Sequence, residues 1–593
     1  MAAVSLGMGA GLLVWCGGAT RSGVVFARPG TAAWTQGSDE PDPNAECARC
    51  HQAIYERYRK TPMANASGPA AAGFLPGEFT HAESGVTFRL EKTDGRVFLS
   101  FERDVDAGRG ENANSADWPL KGQRELRYFL GSGRRGRTYL FEQDGYWFEI
   151  PVNWYAKKRI WDMAPNYLHA TEMPLTMPVD PGCLRCHSSG AQSSLPEARN
   201  KYAAAPFLHG GITCTACHGD AAEHVASGGK MRMLDLKTLK PLERDSICLN
   251  CHLEGDVAIE HKGKRWEQFK PGESIFDYAS YFVVEGGKTG DERATSQWEA
   301  LLKSGCKRGE GDRLTCTSCH DPHGSVSVMS AEERAEYYRR KCLQCHDPEA
   351  VKAEGAEAKT GFAATHHAEN RDCTACHMPR VRAEDIAHEQ VTDHSIPRIA
   401  QKGGQSAVAT KETLEAIGTE PGVAQASSER DLGLAYAQRA LRGDRAAGER
   451  ALELLRASEA DLAEKADAPL HESLGLLDQV SDDLARAEKE YGMALAADPH
   501  DAVAAGDLAL IRARAKDYSD AVRLWRQAFE ENPVELGAGH NLAVMECATG
   551  DKEAALATLA RIFVFSPDDA AAHKLDREIR SDRGTCEARA GTR

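Results

Sequence analysis

Long apolar runs, excess positive charge and cysteines outside one repeated pattern are all scarce in this 593-residue sequence. Beyond residues 2–19, no stretch is apolar over the roughly 20 residues that a membrane-spanning helix needs. The formal net charge of −16 argues against nucleic acid as a partner and favours a basic protein. The length allows roughly three to five domains.

Most cysteines belong to one five-residue pattern, Cys-x-x-Cys-His, which occurs seven times. Its cysteines are Cys47, Cys50, Cys183, Cys186, Cys214, Cys217, Cys248, Cys251, Cys316, Cys319, Cys342, Cys345, Cys373 and Cys376. Its histidines are His51, His187, His218, His252, His320, His346 and His377. The cysteines outside the pattern are Cys16, Cys306, Cys547 and Cys586.

The spacing has a chemical reason. Two cysteines three residues apart can each form a thioether to one haem, and the next residue then supplies the proximal imidazole to the iron. A zinc site or a disulfide couple also uses paired cysteines, but neither needs a histidine at this position in every copy. The pattern therefore predicts seven covalently attached c-type haems.

The apolar segment near the start, within residues 1–33, is typical of a signal peptide or an N-terminal anchor. Thr31-Ala32-Ala33 offers a cleavage site, although no lysine or arginine precedes the apolar run. Because haem is normally attached covalently on the outer face of the bacterial inner membrane, we expect a periplasmic or extracellular location. A membrane contact is expected only through such an anchor.

A long motif-free gap separates the first two motifs. Alternating apolar residues with Asp94-Gly95 and Asp144-Gly145 between them predict an antiparallel β insert of about five strands over residues 77–155. The segment 131–136 has the spacing of a dinucleotide fingerprint, but strand patterns follow it, so we interpret it as a Gly-rich hairpin turn. The whole haem-bearing domain is predicted to span residues 34–398, with sparse secondary structure and short helices around the motifs.

The last third of the chain repeats every 34 residues. Four sets of residues keep this interval: Pro499, Pro533 and Pro567; Ala487, Ala521 and Ala555; Leu474, Leu508 and Leu542; Leu495, Phe529 and Phe563. This period predicts an α-helical solenoid of tetratricopeptide repeats over residues 428–580, which would bind a protein or peptide on its concave face. Residues 399–427 are predicted to be a linker and 581–593 a tail, and the fold class is mainly α.

Each iron also needs a second axial ligand or an open position, and this choice separates electron transfer from catalysis. Ten further histidines lie between residues 47 and 398, which favours mostly bis-histidine haems. The candidates by position are His81, His224, His323, His367, His388 and His394. His366 is the alternative to His367, whereas His169, His209 and His261 are weaker candidates and Met63 is better explained by packing.

Residues 44–398 resemble the multihaem cytochrome superfamily, which includes the tetrahaem cytochrome of nitrifying bacteria, pentahaem nitrite reductase and octahaem hydroxylamine oxidoreductase. The resemblance rests on the segments GITCTACHGDAAEHV, LTCTSCHDPHG and CTACHMPR. It implies stacked haem pairs that form a conducting chain, with His224, His323 and His394 as axial ligands. The Cys-x-x-Cys-Lys motif of the nitrite reductases is absent from this sequence.

The sequence thus predicts an exported heptahaem cytochrome that carries electrons to a redox partner protein and docks through its repeats. The alternative is an oxidoreductase in which one open haem acts on a small nitrogen or sulfur compound. A scaffold with vestigial haems is disfavoured, because all seven motifs are intact.

Overall fold

The computed structural model describes residues 42–103, 120–170, 173, 175–285, 296–324, 326, 329–346, 372–380, 392–397, 413–419, 428–461 and 466–581. The predicted leader and tail, with Cys16 and Cys586, therefore lie outside the described residues, apart from Ser581. None of the helices in the described part of the chain combines the length and the apolar character that a membrane span requires.

Every motif lies in or at the end of a short helix, as the sequence predicts. The segment that precedes the sixth motif is helical throughout, because it is rich in Ala, Glu, Arg and Lys, which are good helix formers. The helices of this part are α1 (Ala45–Tyr58), α2 (Pro181–His187), α3 (Thr215–His218), α4 (Ala222–Ala226), α5 (Pro241–His252), α6 (Gln297–Lys303), α7 (Gly305–Glu310), α8 (Cys316–Cys319), α9 (Ala331–His346) and α10 (Cys373–His377).

The β insert is larger than predicted. It is a ten-stranded antiparallel sheet with a central order β10-β7-β6-β5-β4-β3-β2. Its strands are β1 (Ser67–Pro69), β2 (Gly77–Thr80), β3 (Thr87–Thr93), β4 (Arg96–Arg103), β5 (Leu120–Leu130), β6 (Gly136–Gln143), β7 (Tyr146–Glu149), β8 (Val152–Tyr155), β9 (Ile160–Met163) and β10 (Met177–Pro178). The short outer strands were missed because two to four residues are too few for apolar alternation to be visible.

The predicted hairpin turns are confirmed. Thr93 pairs with Arg96 across Asp94-Gly95, and Gln143 pairs with Tyr146 across Asp144-Gly145. All four turn residues have positive φ, which is the conformation that two-residue hairpin turns require. The segment 131–136 is likewise a turn between β5 and β6, so no helix follows it.

Two smaller sheets complete the haem-bearing part. One joins β11 (Ser188–Ala191) to β12 (Phe207–Gly210), and the other has the order β13 (Val257–Glu260), β14 (Ala279–Glu285), β15 (Thr413–Ala416). Strand β15 lies inside the segment predicted to be a linker. It pairs with β14, and the side chain of Leu414 is buried, so this part of the segment belongs to the fold.

The rest of the chain is helical, and consecutive helices pack in antiparallel pairs. The alanine and leucine positions that repeat every 34 residues lie in its core. Ala487, Ala521 and Ala555 are fully buried, and such small residues allow two helices to approach closely. The helices are α11 (Glu429–Leu441), α12 (Arg445–Asp461), α13 (Ala468–Val480), α14 (Leu484–Ala497), α15 (Ala502–Arg514), α16 (Tyr518–Glu531), α17 (Leu536–Ala548), α18 (Lys552–Phe565) and α19 (Ala570–Arg580).

This helical region packs against the haem-bearing part at both of its ends. At one end, α11 shares a hydrophobic core with the sheet β13-β14-β15. At the other end, Phe565 joins the core of the β insert, and a buried ion pair links Arg103 to Asp568 at 2.5 Å. The helical region therefore contacts the haem-bearing part at two separate places.

Candidate haem sites

Helix geometry places the residues of each motif where they could hold one haem. Residues three apart share a helix face, so the two cysteines of a motif point to the same side. In α2, Asp180 accepts a hydrogen bond from the backbone of Cys183, and in α10, Asp372 caps Thr374 and Ala375. The cysteines of all seven motifs are outside disulfide bonds, as thioether formation requires.

Three motif histidines face a second histidine across a gap. His51 faces His224 with ring centres 6.4 Å apart and ring planes 15° apart. His218 faces His323 at 5.8 Å and 12°. The third pair, His320 and His394, lies at 6.3 Å and 29°.

These separations fit an iron between the rings. Imidazole–metal bonds are about 2 Å long, so two rings on opposite sides of one metal ion have their centres roughly 6 Å apart. The three pairs therefore have the spacing of bis-histidine ligation.

Backbone carbonyls orient several of these rings. The Nδ1 atom of His224 lies 2.7 Å from the carbonyl oxygen of Met231, and Nδ1 of His394 lies 2.9 Å from that of Thr392. In the seventh motif, Nδ1 of His377 lies 2.9 Å from the carbonyl of Pro397. A ring that donates from Nδ1 keeps Nε2 free as the metal-binding nitrogen.

Burial lowers the pKa of His218, His320 and His394 and so favours the neutral form of these three residues. It lowers the pKa of His218, with further contributions from the charges of His323 and His51. Burial also lowers the pKa of His320 to about 4, helped by the charge of His394. A neutral imidazole is the ligand form, so no proton has to leave when these residues bind metal.

The remaining candidate histidines are placed differently. His81 is buried in the β insert, where Nδ1 lies 3.0 Å from Ser84 Oγ and Nε2 lies 3.2 Å from the carbonyl of Leu168. Both of its ring nitrogens are therefore engaged away from the motifs. His169 contacts Glu83 and His261 contacts Ser280. His366, His367 and His388 lie outside the described residues.

Neighbouring motifs meet through their cysteines. The thiols of Cys47 and Cys214 are in hydrogen-bonding contact, which joins the first motif to the third. Cys186 and Cys251 make the same contact between the second and fourth motifs. Cys248 and Cys316 make it between the fourth and fifth motifs, and Cys342 and Cys373 make it between the sixth and seventh. Cys217 lies near Cys248, and Cys319 lies near Cys345, so the third motif adjoins the fourth and the fifth adjoins the sixth.

Two residues near the motifs were not predicted from the sequence. Tyr58 packs edge-on against His323, with ring centres 6.5 Å apart, and its hydroxyl donates to the carbonyl of Ile212. Arg135 lies in the Gly-rich turn of the β insert and is close to His252. The pKa of His252 is lowered mainly by burial, and the charges of His394 and Arg135 make smaller contributions in that order. Tyr58 ends the helix that carries the first motif, but its contact with His323 is made across the fold, and Arg135 is distant from every motif in the sequence, so no local signal identified either contact.

Comparisons with known proteins agree with haem sites of this kind. Residues 156–219, which include the second and third motifs, match the family model described as cytochrome c554 and c-prime. A curated relative, the multiheme cytochrome MtrA of Shewanella baltica (strain OS185), is 25% identical over 211 residues, or 30% of this chain. The chain spans 58% of the length of that relative.

Two solved structures have low overall similarity to this chain. The outer cell wall cytochrome OcwA covers 82% of this chain and 98% of its own, with 17% identity and a TM-score of 0.35. MamA AMB-1 covers 25% of this chain and 76% of its own, with 22% identity and a TM-score of 0.22. Together, the family match, the curated relative and the motifs support a multihaem c-type cytochrome with haem c as its cofactor.

Proposed function

We propose that this multihaem c-type cytochrome carries electrons along seven covalently attached haems and docks to a partner through its helical region. The observation that carries the proposal is the set of three motif histidines that face a second histidine at 5.8–6.4 Å. Each bound haem iron supplies a site that accepts and releases one electron.

The protein's own residues hold and close these sites. The motif cysteines attach the haems, and the motif histidines bind the irons from one side. At three of these sites His224, His323 and His394 would supply a second iron ligand, which would leave no open iron position there for a small substrate. Iron that is closed on both sides favours electron transfer over catalysis.

The contacts between motifs support a continuous route. They give the order first, third, fourth, fifth, sixth and seventh motif, with the second motif beside the fourth. Close neighbours at every step are what a conducting chain requires. A redox partner protein would deliver or collect electrons at an exposed haem edge along this route.

We further propose that residues 428–580 form tetratricopeptide repeats that bind a protein or peptide. The 34-residue period and the burial of alanine at its repeated positions support this assignment. We place the protein on the periplasmic or extracellular side of a bacterial envelope, where covalent haem attachment takes place, with residues 1–33 as the signal or anchor.

The second candidate function is an oxidoreductase with one open haem. One observation favours it, since the charge of Arg135 acts on His252 of the fourth motif. A guanidinium beside an open iron would bind a small anion such as nitrite or a sulfur oxyanion.

Protein-film voltammetry tests the two functions against each other. Electron transfer alone predicts reversible waves that nitrite, hydroxylamine and sulfite leave unchanged. A catalytic current with any of these compounds would contradict the first function. If that current disappears in Arg135→Gln but persists in Arg134→Gln, which changes the neighbouring arginine of the same turn, the second function is supported.

A further inference from the structure

Four carboxylates lie close together in the middle of the helical region. Glu472 belongs to α13, Asp507 to α15, and Asp501 and Glu535 are the residues that precede α15 and α17. The charges of the other three all act on Glu472. We call these four residues the acidic cluster.

The acidic cluster has no basic partner among the residues that the structure describes. Asp467 and Asp569 occupy the same position in the 34-residue period as Asp501 and Glu535, and each of them contacts a basic side chain of the chain. Asp467 pairs with Arg430 at 2.6 Å, and Asp569 pairs with His540 at 2.7 Å. Only the two middle positions of this series keep an uncompensated carboxylate.

Glu472 shows the deficit most clearly. Its side chain is buried, with 7% of the residue exposed, and its Oε1 atom has no hydrogen-bond partner. An isolated buried carboxylate is unfavourable unless it is paired or protonated. Burial also raises the pKa of Asp507 to about 6 and that of Glu535 to about 7.

The geometry favours an extended cation over a bare metal ion. Among the described residues, one group of three has ligand atoms within 4.8 Å of one another, as a metal site requires: Glu459, His471 and Glu490. Arg456 already forms an ion pair with Glu490 of this group, at 2.8 Å. The oxygens of the acidic cluster do not meet this spacing. A side chain with several N–H donors can reach oxygens that are too far apart to share one ion.

We propose that the acidic cluster receives an arginine or lysine side chain from a segment of a partner protein. This inference rests on the proposed docking function of the helical region and adds the chemistry of the partner to it. The cationic group would pair with Glu472 and with the carboxylate of Asp507, which also contacts the Tyr491 hydroxyl at 3.3 Å and the side chain of Gln479. Hydrogen bonds between charged groups are stronger than neutral ones and are directional for a guanidinium.

Fluorescence polarisation on the full-length holoprotein tests this proposal. The probe is a fluorescein-labelled 12-residue peptide of alternating alanine and arginine, and its match contains citrulline, which is uncharged, in place of arginine. We expect the citrulline peptide to bind at least tenfold more weakly. Glu472→Gln should weaken the arginine peptide by about tenfold, the loss of one charge-assisted hydrogen bond, whereas Glu553→Gln, which neutralises an exposed carboxylate of α18, should not.

The outcomes separate this inference from the docking function itself. Equal binding of both peptides, unchanged by Glu472→Gln, would overturn the cation site and leave the helices as a peptide groove. Equal losses in Glu472→Gln and Glu553→Gln would also overturn it, because they would reflect the net negative charge alone. No binding of either peptide at millimolar concentration would count against both proposals. Asp507→Asn repeats the test should Glu472→Gln fail to fold.

Discussion

The ion pair between Arg103 and Asp568 is buried at the contact between the β insert and the helices, so removing one of its two charges should be costly. Its side chains are 2% and 0% exposed. Arg103 also donates to the carbonyl of Ser84, and Asp568 accepts from the backbone of Met173 at 3.1 Å. Asp568→Asn keeps a side chain of the same shape but removes the negative charge that faces the buried arginine.

Removing one partner of a buried pair costs about 3–5 kcal/mol, whereas an exposed pair contributes about 0–1 kcal/mol. We therefore expect Asp568→Asn to lower the urea midpoint of unfolding, followed by circular dichroism, far more than Asp144→Asn does. Asp144 is the matched control, because it pairs with Arg561 across the same contact with side chains 39% and 38% exposed.

A double variant completes this test. Arg103→Met combined with Asp568→Leu removes both charges, so most of the lost stability should return. Equal midpoints for Asp568→Asn and Asp144→Asn would refute the argument from burial. A double variant as unstable as the single one would show that shape, and not the unpaired charge, decides the cost.

Three further changes test other parts of the structure. His323→Ala should open one haem, so that carbon monoxide binds one more iron per chain by difference spectroscopy, whereas His261→Ala should not; equal spectra for the two variants would contradict the pairing with the third motif. Gly211→Ala should lower the thermal midpoint strongly, because this residue has a φ of +66° and an added Cβ would lie 2.2 Å from a backbone oxygen; an unchanged midpoint would refute this. Burial raises the pKa of Asp507 to about 6 and that of Glu535 to about 7. Between about pH 4 and about pH 7 these two groups therefore bind more protons in the folded chain than in the unfolded chain. Their contribution to the free energy of unfolding falls as the pH rises through that window. Asp507→Asn should flatten this dependence in thermal unfolding at pH 5 and pH 8, and an unaltered slope would count against it.

Local sequence signals predicted the local structure well. The motif spacing placed the short helices, Asp94-Gly95 and Asp144-Gly145 placed two hairpins, and the 34-residue period placed the buried alanines of the helical region. Each of these signals consists either of residues a few positions apart in the sequence or of a repeat with a fixed period.

Features that depend on distant residues were not predictable in the same way. Leu414 lies in a segment with few aromatic residues, yet it belongs to strand β15, which pairs with β14 from a much earlier part of the sequence. His81 has a position typical of a ligand, but neighbouring residues of the β insert engage both of its nitrogens. The contacts between motifs could be identified only from the folded structure, because Cys47 of the first motif contacts Cys214 of the third motif although the second motif lies between them in the sequence.

A carbon monoxide difference spectrum of the dithionite-reduced protein, with total haem quantified per chain, tests the central claim most directly. Electron transfer through haems that are closed on both sides predicts seven haems per chain and no spectral shift with carbon monoxide. A carbon monoxide-binding fraction near one in seven, in protein with full haem content, would mean one open iron and would contradict the account.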